Sequence, residues 1–396
     1  MRDNNKKGSV NLNTLLYGTV HILYWAIFCL MVAFTSVFLL HKGLSNSVIG
    51  LILGTSYLLS ALLQPVVGSF FSSHSISRGK GIAVIYMPVA LFAFAVRFLP
   101  LNAYVVGILM VFMITVQSML QPSVNALYQS METVDKPVNF GLARGMGSLS
   151  YALSSFVTGR LLAIFDPPIL PLMYLIAVIL LIVLLFVIPT GDGRSLAGGS
   201  SGENMSYKEM LHAYPHLRLF VPGMICLFLT YSFIDSFLVQ ILMNIGGNSS
   251  DLGTAITASA ILELPAMVIY AWLCEKGGGL TVFRISMWIW LAKDILTALA
   301  TSPGQLFLVQ MMGFACTAIY VPGMMFYMRR SLPPILLLRG ATLAGTATTL
   351  GSLIATLVGG WLMDHAGVHN ALLLVQVPAV VGTLLMNAAI ARVQKK

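Results

Sequence analysis

Apolar residues along this chain occur in long uninterrupted runs that are separated by short polar or glycine-containing segments. Each run is long enough to cross the hydrocarbon layer of a bilayer as an α-helix. The runs lack the strict alternation of polar and apolar residues that is typical of a membrane β-barrel. The pattern therefore predicts an all-α integral membrane protein with about 12 transmembrane helices. These predicted helices cover residues 14–40, 46–72, 80–98, 102–130, 138–164, 168–190, 217–243, 251–274, 280–300, 303–328, 338–362 and 368–392.

Composition agrees with this pattern and excludes a soluble globular protein. Hydrophobic residues make up 58% of the 396 residues, charged residues only 9%, and the mean hydropathy is +0.88; soluble domains carry about 25% charged residues. The basic start "MRDNNKKGSVN" precedes a run long enough to span the membrane, without a small-residue cleavage site. We interpret this run as a retained first helix and not as a signal peptide.

The longest hydrophilic stretch lies in the middle of the chain and is rich in glycine, serine and mixed charge. Such a composition is typical of a linker. It predicts an N-terminal six-helix bundle at 1–190, a cytoplasmic linker loop at 191–216 and a C-terminal six-helix bundle at 217–396. Two similar bundles that rock about a site near the bilayer midplane are the arrangement of many secondary transporters.

Lysine and arginine set the predicted orientation. With the N-terminus inside, most of the 22 cationic residues lie in cytoplasmic segments, while Lys42, Arg97 and Arg160 lie outside, as the positive-inside rule requires. We therefore expect a multi-pass protein of the inner (plasma) membrane with both termini cytoplasmic. The net charge of +9 is explained by this topology, and no nucleic-acid partner is expected.

Ionisable residues inside the predicted helices are costly, so each one marks a candidate site. On the C-terminal half the acids Asp235, Glu263 and Asp294 share the membrane with a single base, Lys293. This surplus of carboxylate predicts a group that takes up and releases a proton, which makes all four residues candidates for proton coupling. The alternative is a set of salt bridges that holds helices together. On the N-terminal half the corresponding residues are His21 and Arg144.

Polar rows and aromatic residues on the N-terminal half supply candidate substrate-binding groups. Gln117, Gln121 and Asn125 are spaced at i, i+4 and i+8, which would place their amides on one helix face. Amides on one face suit an uncharged polyhydroxylated ligand, although rows of small polar residues also serve close helix packing. Tyr24, Trp25 and Tyr151, together with Trp290 on the C-terminal half, are candidates to stack on a sugar or aromatic ring.

Several segments resemble the lactose-permease-like branch of the major facilitator superfamily, which includes oligosaccharide–proton symporters and phenylpropionate-type carriers. They are "SYLLSALLQPVVGSFF", "NFGLARGMGSLSYALSSFVTG", "ILELPAMVIYAWL" and "LRGATLAGTATTLGSLIATLVGGWLMDHAG". The resemblance implies the major facilitator fold and proton-coupled transport of a small polar solute.

Residue roles follow from the same resemblance. Arg144 stands at the position of the arginine that binds sugar hydroxyls in this branch, and Tyr151 at its stacking aromatic, where the permease has tryptophan. Glu263 matches the glutamate of a Glu-x-Pro signature, and Lys293 stands where an arginine is usual. The chain departs from the branch at Met312, which occupies the histidine position of the tenth helix.

The sequence therefore predicts a secondary active transporter that moves a small polar solute, with a sugar or glycoside favoured, and that is coupled to protons. Alternatives are a carrier of small organic or aromatic acids, a drug exporter, and a non-transporting sensor or scaffold. No enzymatic activity is expected, because the sequence lacks a phosphate-binding glycine loop, an HExxH motif and a Ser–His–Asp set. No cofactor or metal is expected. The expected partners are a small-molecule substrate, the proton and the lipid bilayer, and the protein is expected to be a monomer.

Overall fold

A computed structural model describes residues 11–74, 76–131, 138–190 and 205–394 of the chain. Within these ranges the elements are helices, and no β-strand occurs. The predicted all-α fold is confirmed. The basic segment at 1–10 lies outside the described residues.

The chain forms two compact units. Unit 1 comprises Met1–Leu44 and Thr55–Gly199, and unit 2 comprises Ser45–Gly54 and Ser200–Lys396. Much of the predicted linker, residues 191–204, lies outside the described residues. The domain boundaries at 190 and 217 therefore stay predictions.

Six long helices occur before the predicted linker, and the second of them begins in unit 2 and continues in unit 1. The first helix continues beyond Phe28 as a π-helix at Cys29–Ala33 and a further α-helix at Thr35–His41. The six helices are α1 (Leu12–Phe28), α2 (Asn46–Ser73), α3 (Arg78–Phe98), α4 (Ala103–Met119), α5 (Phe140–Leu162) and α6 (Ile169–Val187).

Six further long helices, all in unit 2, follow the linker. They are α7 (Leu217–Ser236), α8 (Ser249–Glu275), α9 (Gly279–Leu299), α10 (Tyr320–Ser331), α11 (Leu337–Ala366) and α12 (Gln376–Gln394). Around the core of this unit, α7 packs against α11 and α12, and α9 packs against α12.

Ten of the described helical segments are long and apolar enough to cross a membrane. The two long helices outside that group, α5 and α9, carry Arg144 and the Lys293–Asp294 pair. They contain 23 and 21 residues, which at 1.5 Å per residue corresponds to roughly 30–35 Å. Both therefore match the thickness of the hydrocarbon layer, and their lower hydropathy reflects the polar groups that they hold.

The predicted continuous helix at 102–130 is wrong, because α4 ends at Met119. Two short helices, Gln121–Asn125 and Leu127–Met131, follow it. Pro122 lies at the start of the first short helix; it lacks the N–H that would continue the preceding helix, and its fixed φ suits a new first turn. The amides of Gln117, Gln121 and Asn125 therefore do not share one uninterrupted helix.

The predicted helix at 303–328 is also interrupted. It consists of an α-helix at Pro303–Gln310, a 3₁₀-helix at Met311–Ala315 and then α10. Gly313, in the 3₁₀-helix, lies against Ser259 of α8 so closely that a Cβ at this position would collide with the serine hydroxyl. The tight turn and the close approach bring the following residues, Cys316 and Thr317, next to α8.

The described part of the linker contains a short helix at Tyr207–Ala213. Ser206 and Glu209 form a capping box at its start, and the hydrogen bonds from Ser206 lower the pKa of the Glu209 carboxyl. Arg218 of α7 donates from Nε to the Leu211 carbonyl at 2.7 Å and from Nη2 to the His212 carbonyl at 3.2 Å. These bonds attach the end of the short helix to the beginning of α7.

Candidate functional site

Arg144 is the centre of the predicted binding residues in unit 1. Its guanidinium carbon lies 4.2 Å from the centroid of the Trp25 ring, which is cation–π geometry. Its Nη1 atom donates to Ser148 Oγ at 2.9 Å, one turn further along α5. The indole face and the serine together hold the guanidinium in a fixed orientation inside the membrane-spanning part of the unit.

Tyr151 lies next to the same tryptophan. The Tyr151 and Trp25 ring centroids are 6.2 Å apart with an interplanar angle of 85°. Phe28 extends this aromatic row, with its centroid 5.2 Å from that of Trp25. The structure thus brings the predicted binding residues Arg144, Tyr151 and Trp25 together.

The close packing of α1 on α5 depends on Gly147. A Cβ at this position would collide with the Trp25 ring and would lie 3.3 Å from the His21 Cβ. His21 itself is fully buried, and neither ring nitrogen has a hydrogen-bond partner among the described residues. Its ring packs edge-on against Tyr17 at 4.6 Å, and it interacts electrostatically with Arg144.

Gln117 is placed differently from the other predicted binding residues. Its side chain is 0% exposed. The Tyr86 hydroxyl donates to its Oε1 at 2.7 Å, and its Nε2 donates to the Tyr24 carbonyl at 3.1 Å. The Gln117 carbonyl also accepts from the Tyr24 hydroxyl at 2.8 Å. The amide therefore joins α1, α3 and α4, and its oxygen and nitrogen are engaged within the unit.

The other two amides lie beyond the end of α4. Gln121 and Asn125 are partly exposed, on the short helix Gln121–Asn125. The backbone carbonyl of Asn125 accepts from the Tyr17 hydroxyl at 2.9 Å, which ties this short helix to α1. Both side chains have an accessible surface, in contrast to Gln117.

In unit 2, Lys293 and Asp294 lie in the interior of the helix packing. Lys293 is 3% exposed and Asp294 is 0% exposed. Lys293 interacts electrostatically with Asp294 and also with Asp235 of α7. Adjacent helix residues point about 100° apart, so an ammonium between α7 and α9 can serve both carboxylates.

The Asp294 carboxylate is incompletely satisfied. Trp290, one turn earlier on α9, interacts with it, yet neither carboxylate oxygen reaches hydrogen-bond geometry with a partner among the described residues. A buried carboxylate without donors is costly when it is charged. Neutralisation by a proton or by the neighbouring Lys293 removes that cost.

Glu263 of α8 joins the same group through the broken tenth segment. Thr317 Oγ1 donates to Glu263 Oε1 at 2.6 Å. The adjacent Cys316 is buried and interacts electrostatically with Lys293, Asp294 and Glu263. Neither Cys316 nor Thr317 was among the site residues predicted from the sequence. The only signal was the small-residue segment "GFACTA", which permits a helix break.

Asp235 is the exposed member of this group. It lies near the end of α7, within a segment that is apolar enough to span the membrane. A carboxylate in a spanning segment is strongly disfavoured against lipid and persists when it faces protein or water. The exposed face of α7 at Asp235 therefore borders a water-accessible space. We name the set Asp235, Glu263, Lys293 and Asp294 the charge cluster.

Long apolar helices in two units, with charged side chains held inside the helix packing, define a multi-spanning membrane protein. The MFS_1 like family model matches residues 15–374, and the chain belongs to this family. Among the described residues, no group of three or more histidine, cysteine or acidic side chains is placed to hold a metal ion.

Similar proteins agree with this assignment. The probable transport protein HsrA of Haemophilus influenzae is 26% identical over 119 residues, which cover 30% of this chain and 26% of HsrA. The chain thus matches about a quarter of the length of that curated relative.

Solved structures show the same fold at low sequence identity. The nucleoside transporter NupG is 11% identical with a TM-score of 0.79, over 98% of this chain and 100% of NupG. A bacterial homologue of the human lysosomal transporter Spinster is 12% identical with a TM-score of 0.71, over 98% of this chain and 99% of that protein. The predicted major facilitator fold is confirmed.

Proposed function

We propose that this protein is a proton-coupled secondary transporter that takes up a small polar solute, a sugar or glycoside, by alternating access. Both termini lie in the cytoplasm, the protein acts as a monomer in the inner membrane, and it belongs to the lactose-permease-like branch. The observation that carries the proposal is the charge cluster of unit 2.

Charge balance in the charge cluster supports proton coupling. Three carboxylates and one ammonium give the cluster a net charge of −2 when all four groups are ionised. Asp294 is fully buried, and Glu263 is half-buried beside the Thr317 hydroxyl. Bound protons neutralise such charges at little steric cost, and their release toward one side of the membrane supplies the driving force for a solute.

Substrate binding is assigned to Arg144, Trp25 and Tyr151 of unit 1, together with the accessible amides of Gln121 and Asn125. A guanidinium held on an indole face presents N–H donors to hydroxyl oxygens, and aromatic rings stack on the apolar face of a sugar. Gln117 contributes by fixing the positions of α1 and α4. An uncharged polyhydroxylated solute fits this set of donors and rings.

A carrier of small organic acids is the second candidate, because Arg144 is a cation that pairs well with a carboxylate. The two candidates differ in whether net charge on the solute is needed. Uptake of methyl glycosides favours the first, and competition restricted to anions favours the second.

The test is uptake by proteoliposomes under an imposed inward proton gradient, with labelled mono- and disaccharides, nucleosides and small aromatic acids. The variant is Glu263→Gln, and the matched control is Glu275→Gln, which removes an exposed carboxylate at the end of the same helix. We expect gradient-driven glycoside accumulation in wild type and in the control, and its loss in Glu263→Gln while solute exchange continues.

Three results would contradict the proposal. Accumulation of acids alone would show that the substrate is an organic acid, and Arg144 would then bind its carboxylate and not sugar hydroxyls. Accumulation that is independent of the proton gradient would remove the proton from the mechanism. Absence of transport for every solute in the panel, by a correctly folded protein, would favour the sensor or scaffold reading.

A further inference from the structure

Unit 2 contains a cluster of four aromatic side chains that the proposed binding residues of unit 1 do not include. Phe228 and Tyr231 come from α7, Trp290 from α9 and Tyr320 from α10. Their ring centroids are 5.1–6.0 Å apart in five contacting pairs. We name these four residues the aromatic wall.

The aromatic wall has a buried side and an accessible side. Trp290 and Tyr320 are 0% and 6% exposed, whereas Phe228 and Tyr231 are half-buried. Trp290 therefore supports the wall from behind, and the two rings of α7 form its surface. Phe228, Trp290 and Tyr320 lie near the middle of the segments Leu217–Ser236, Gly279–Leu299 and Pro303–Ser331, away from the interface where tryptophan and tyrosine serve as anchors.

The accessible rings lie on the same helix face as Asp235. Positions 228, 231 and 235 are related by i, i+3 and i+7, which places them on one side of α7. Because Asp235 borders water-accessible space, its neighbours on that face border the same space. An aromatic surface toward water inside a transporter is stabilised when a ligand covers it.

The distances along α7 between the two aromatic residues and Asp235 indicate the size of ligand that fits. Tyr231 and Phe228 precede Asp235 by four and seven residues, which is roughly 6 and 10 Å along the helix axis. A planar ring stacked on the wall therefore leaves room for a second ring beside Asp235. A carboxylate accepts hydrogen bonds from hydroxyl groups, and a sugar ring supplies several.

We propose that the aromatic wall of unit 2 binds the aromatic aglycone of a glycoside, with the sugar hydroxyls of that glycoside donating to Asp235. This inference rests on the proposed function and narrows its substrate class to aromatic glycosides. Nucleosides and phenyl glycosides share this chemistry. A disaccharide or an alkyl glycoside has no aromatic ring to stack on the aromatic wall, so the wall adds little to its binding affinity.

The test is equilibrium binding to the purified full-length protein in detergent, without any gradient. The probes are phenyl β-galactoside, methyl β-galactoside, uridine, ribose and phenylpropionate. We expect phenyl galactoside to bind about tenfold or more tightly than methyl galactoside, in line with the strength of aromatic stacking. The ratio of uridine to ribose affinity is compared with the ratio of phenyl to methyl galactoside affinity. The larger ratio shows whether a nucleobase or a phenyl ring is the preferred aglycone.

The variants are Phe228→Leu and Tyr231→Leu, with Phe228→Tyr as the conservative rescue. We expect each leucine variant to weaken phenyl galactoside or uridine binding about tenfold while methyl galactoside binding is unchanged. The matched control is Trp288→Leu, which removes an exposed aromatic side chain from α9, the helix that carries Trp290. Thermal unfolding in detergent verifies that every variant is folded.

The outcomes separate this inference from the proposed function. Equal binding of phenyl and methyl galactoside overturns the aromatic wall as a site and leaves a sugar carrier. An aromatic preference that survives both leucine variants also overturns it. If phenylpropionate alone binds, and Phe228→Leu weakens that binding, the aromatic wall stands as a binding site but its ligand is not a glycoside. Absence of binding for every probe overturns both.

Discussion

The two units differ in the kind of polar group that they place inside the membrane. The long helices α1–α6 contain no aspartate or glutamate, and the described site of unit 1 consists of one guanidinium, aromatic rings and amides. Unit 2 places three carboxylates around one buried lysine. Under the proposed function this contrast is a division of labour, in which unit 1 offers hydrogen-bond donors and aromatic rings to the solute, and unit 2 carries the protons as well as the aromatic wall.

The largest effect is expected on the stability of unit 2. Lys293→Met leaves Asp294 and Asp235 without their shared ammonium, and removal of one partner from a buried charged group costs about 3–5 kcal/mol of unfolding free energy. Thermal and chemical unfolding in detergent measures this loss. The control is Lys276→Met, an exposed residue for which we expect a change within about 0.5 kcal/mol.

A compensating substitution sharpens this test. The double variant Lys293→Met with Asp294→Asn removes one charge of each sign, so we expect it to recover at least half of the lost stability. Stability of Lys293→Met equal to that of wild type would show that the carboxylates are already neutral without the lysine.

The next effect is expected on substrate affinity in unit 1. Arg144→Gln removes the cation–π contact with Trp25 and the donors offered to the solute, and we expect a loss of affinity of about 10- to 100-fold. Arg160→Gln is the matched control, because Arg160 lies over Phe156 at 5.2 Å on the same helix but at its exposed end. Equilibrium binding measures both, and equal losses in the two variants would contradict the role of Arg144.

A smaller effect separates packing from binding among the amides of unit 1. Gln117→Leu leaves the Tyr86 hydroxyl without its acceptor, so we expect a loss of about 1–3 kcal/mol of unfolding free energy with unchanged substrate affinity. Calorimetry and binding measure the two quantities. A large loss of affinity at unchanged stability would instead make Gln117 a substrate ligand.

The smallest effect is expected at the hydrogen bond to Glu263. Thr317→Val removes the donor of the 2.6 Å bond, and we expect the steady-state accumulation ratio to change by about two- to fivefold. Thr254→Val is the control, since its hydroxyl donates to the Ser250 carbonyl at the start of the same helix as Glu263. Transport assays at a fixed gradient compare them, and identical behaviour of the two variants would exclude a role for Thr317 in coupling.

The fold was largely predictable, because long apolar runs predict both the number and the approximate ends of membrane helices. Interruptions inside the runs were harder to predict. Pro65 and Pro88 lie inside continuous helices, whereas Pro122 begins a new one. Whether a proline is accommodated inside a helix or begins a new one depends on tertiary packing. The presence of proline in the sequence does not predict which of the two occurs.

The candidate site was predictable where charge alone marks it. Arg144, Glu263, Lys293 and Asp294 stand out in apolar sequence because each is costly there. The aromatic wall was not predicted as a unit, since Phe228, Tyr231 and Tyr320 are ordinary residues in apolar runs. The role of Gln117 was hidden for a similar reason, because i, i+4 spacing does not tell whether an amide meets a neighbouring helix or a ligand.

The most direct test of the division of labour is substrate-driven proton movement into proteoliposomes that contain a pH-sensitive dye and start without any gradient. We predict that a bound and transported glycoside acidifies the lumen in wild type. In the double variant Glu263→Gln with Asp294→Asn, we predict that solute exchange persists while acidification is lost. Undiminished acidification in that variant, or solute entry into wild-type vesicles without any acidification, would contradict the account.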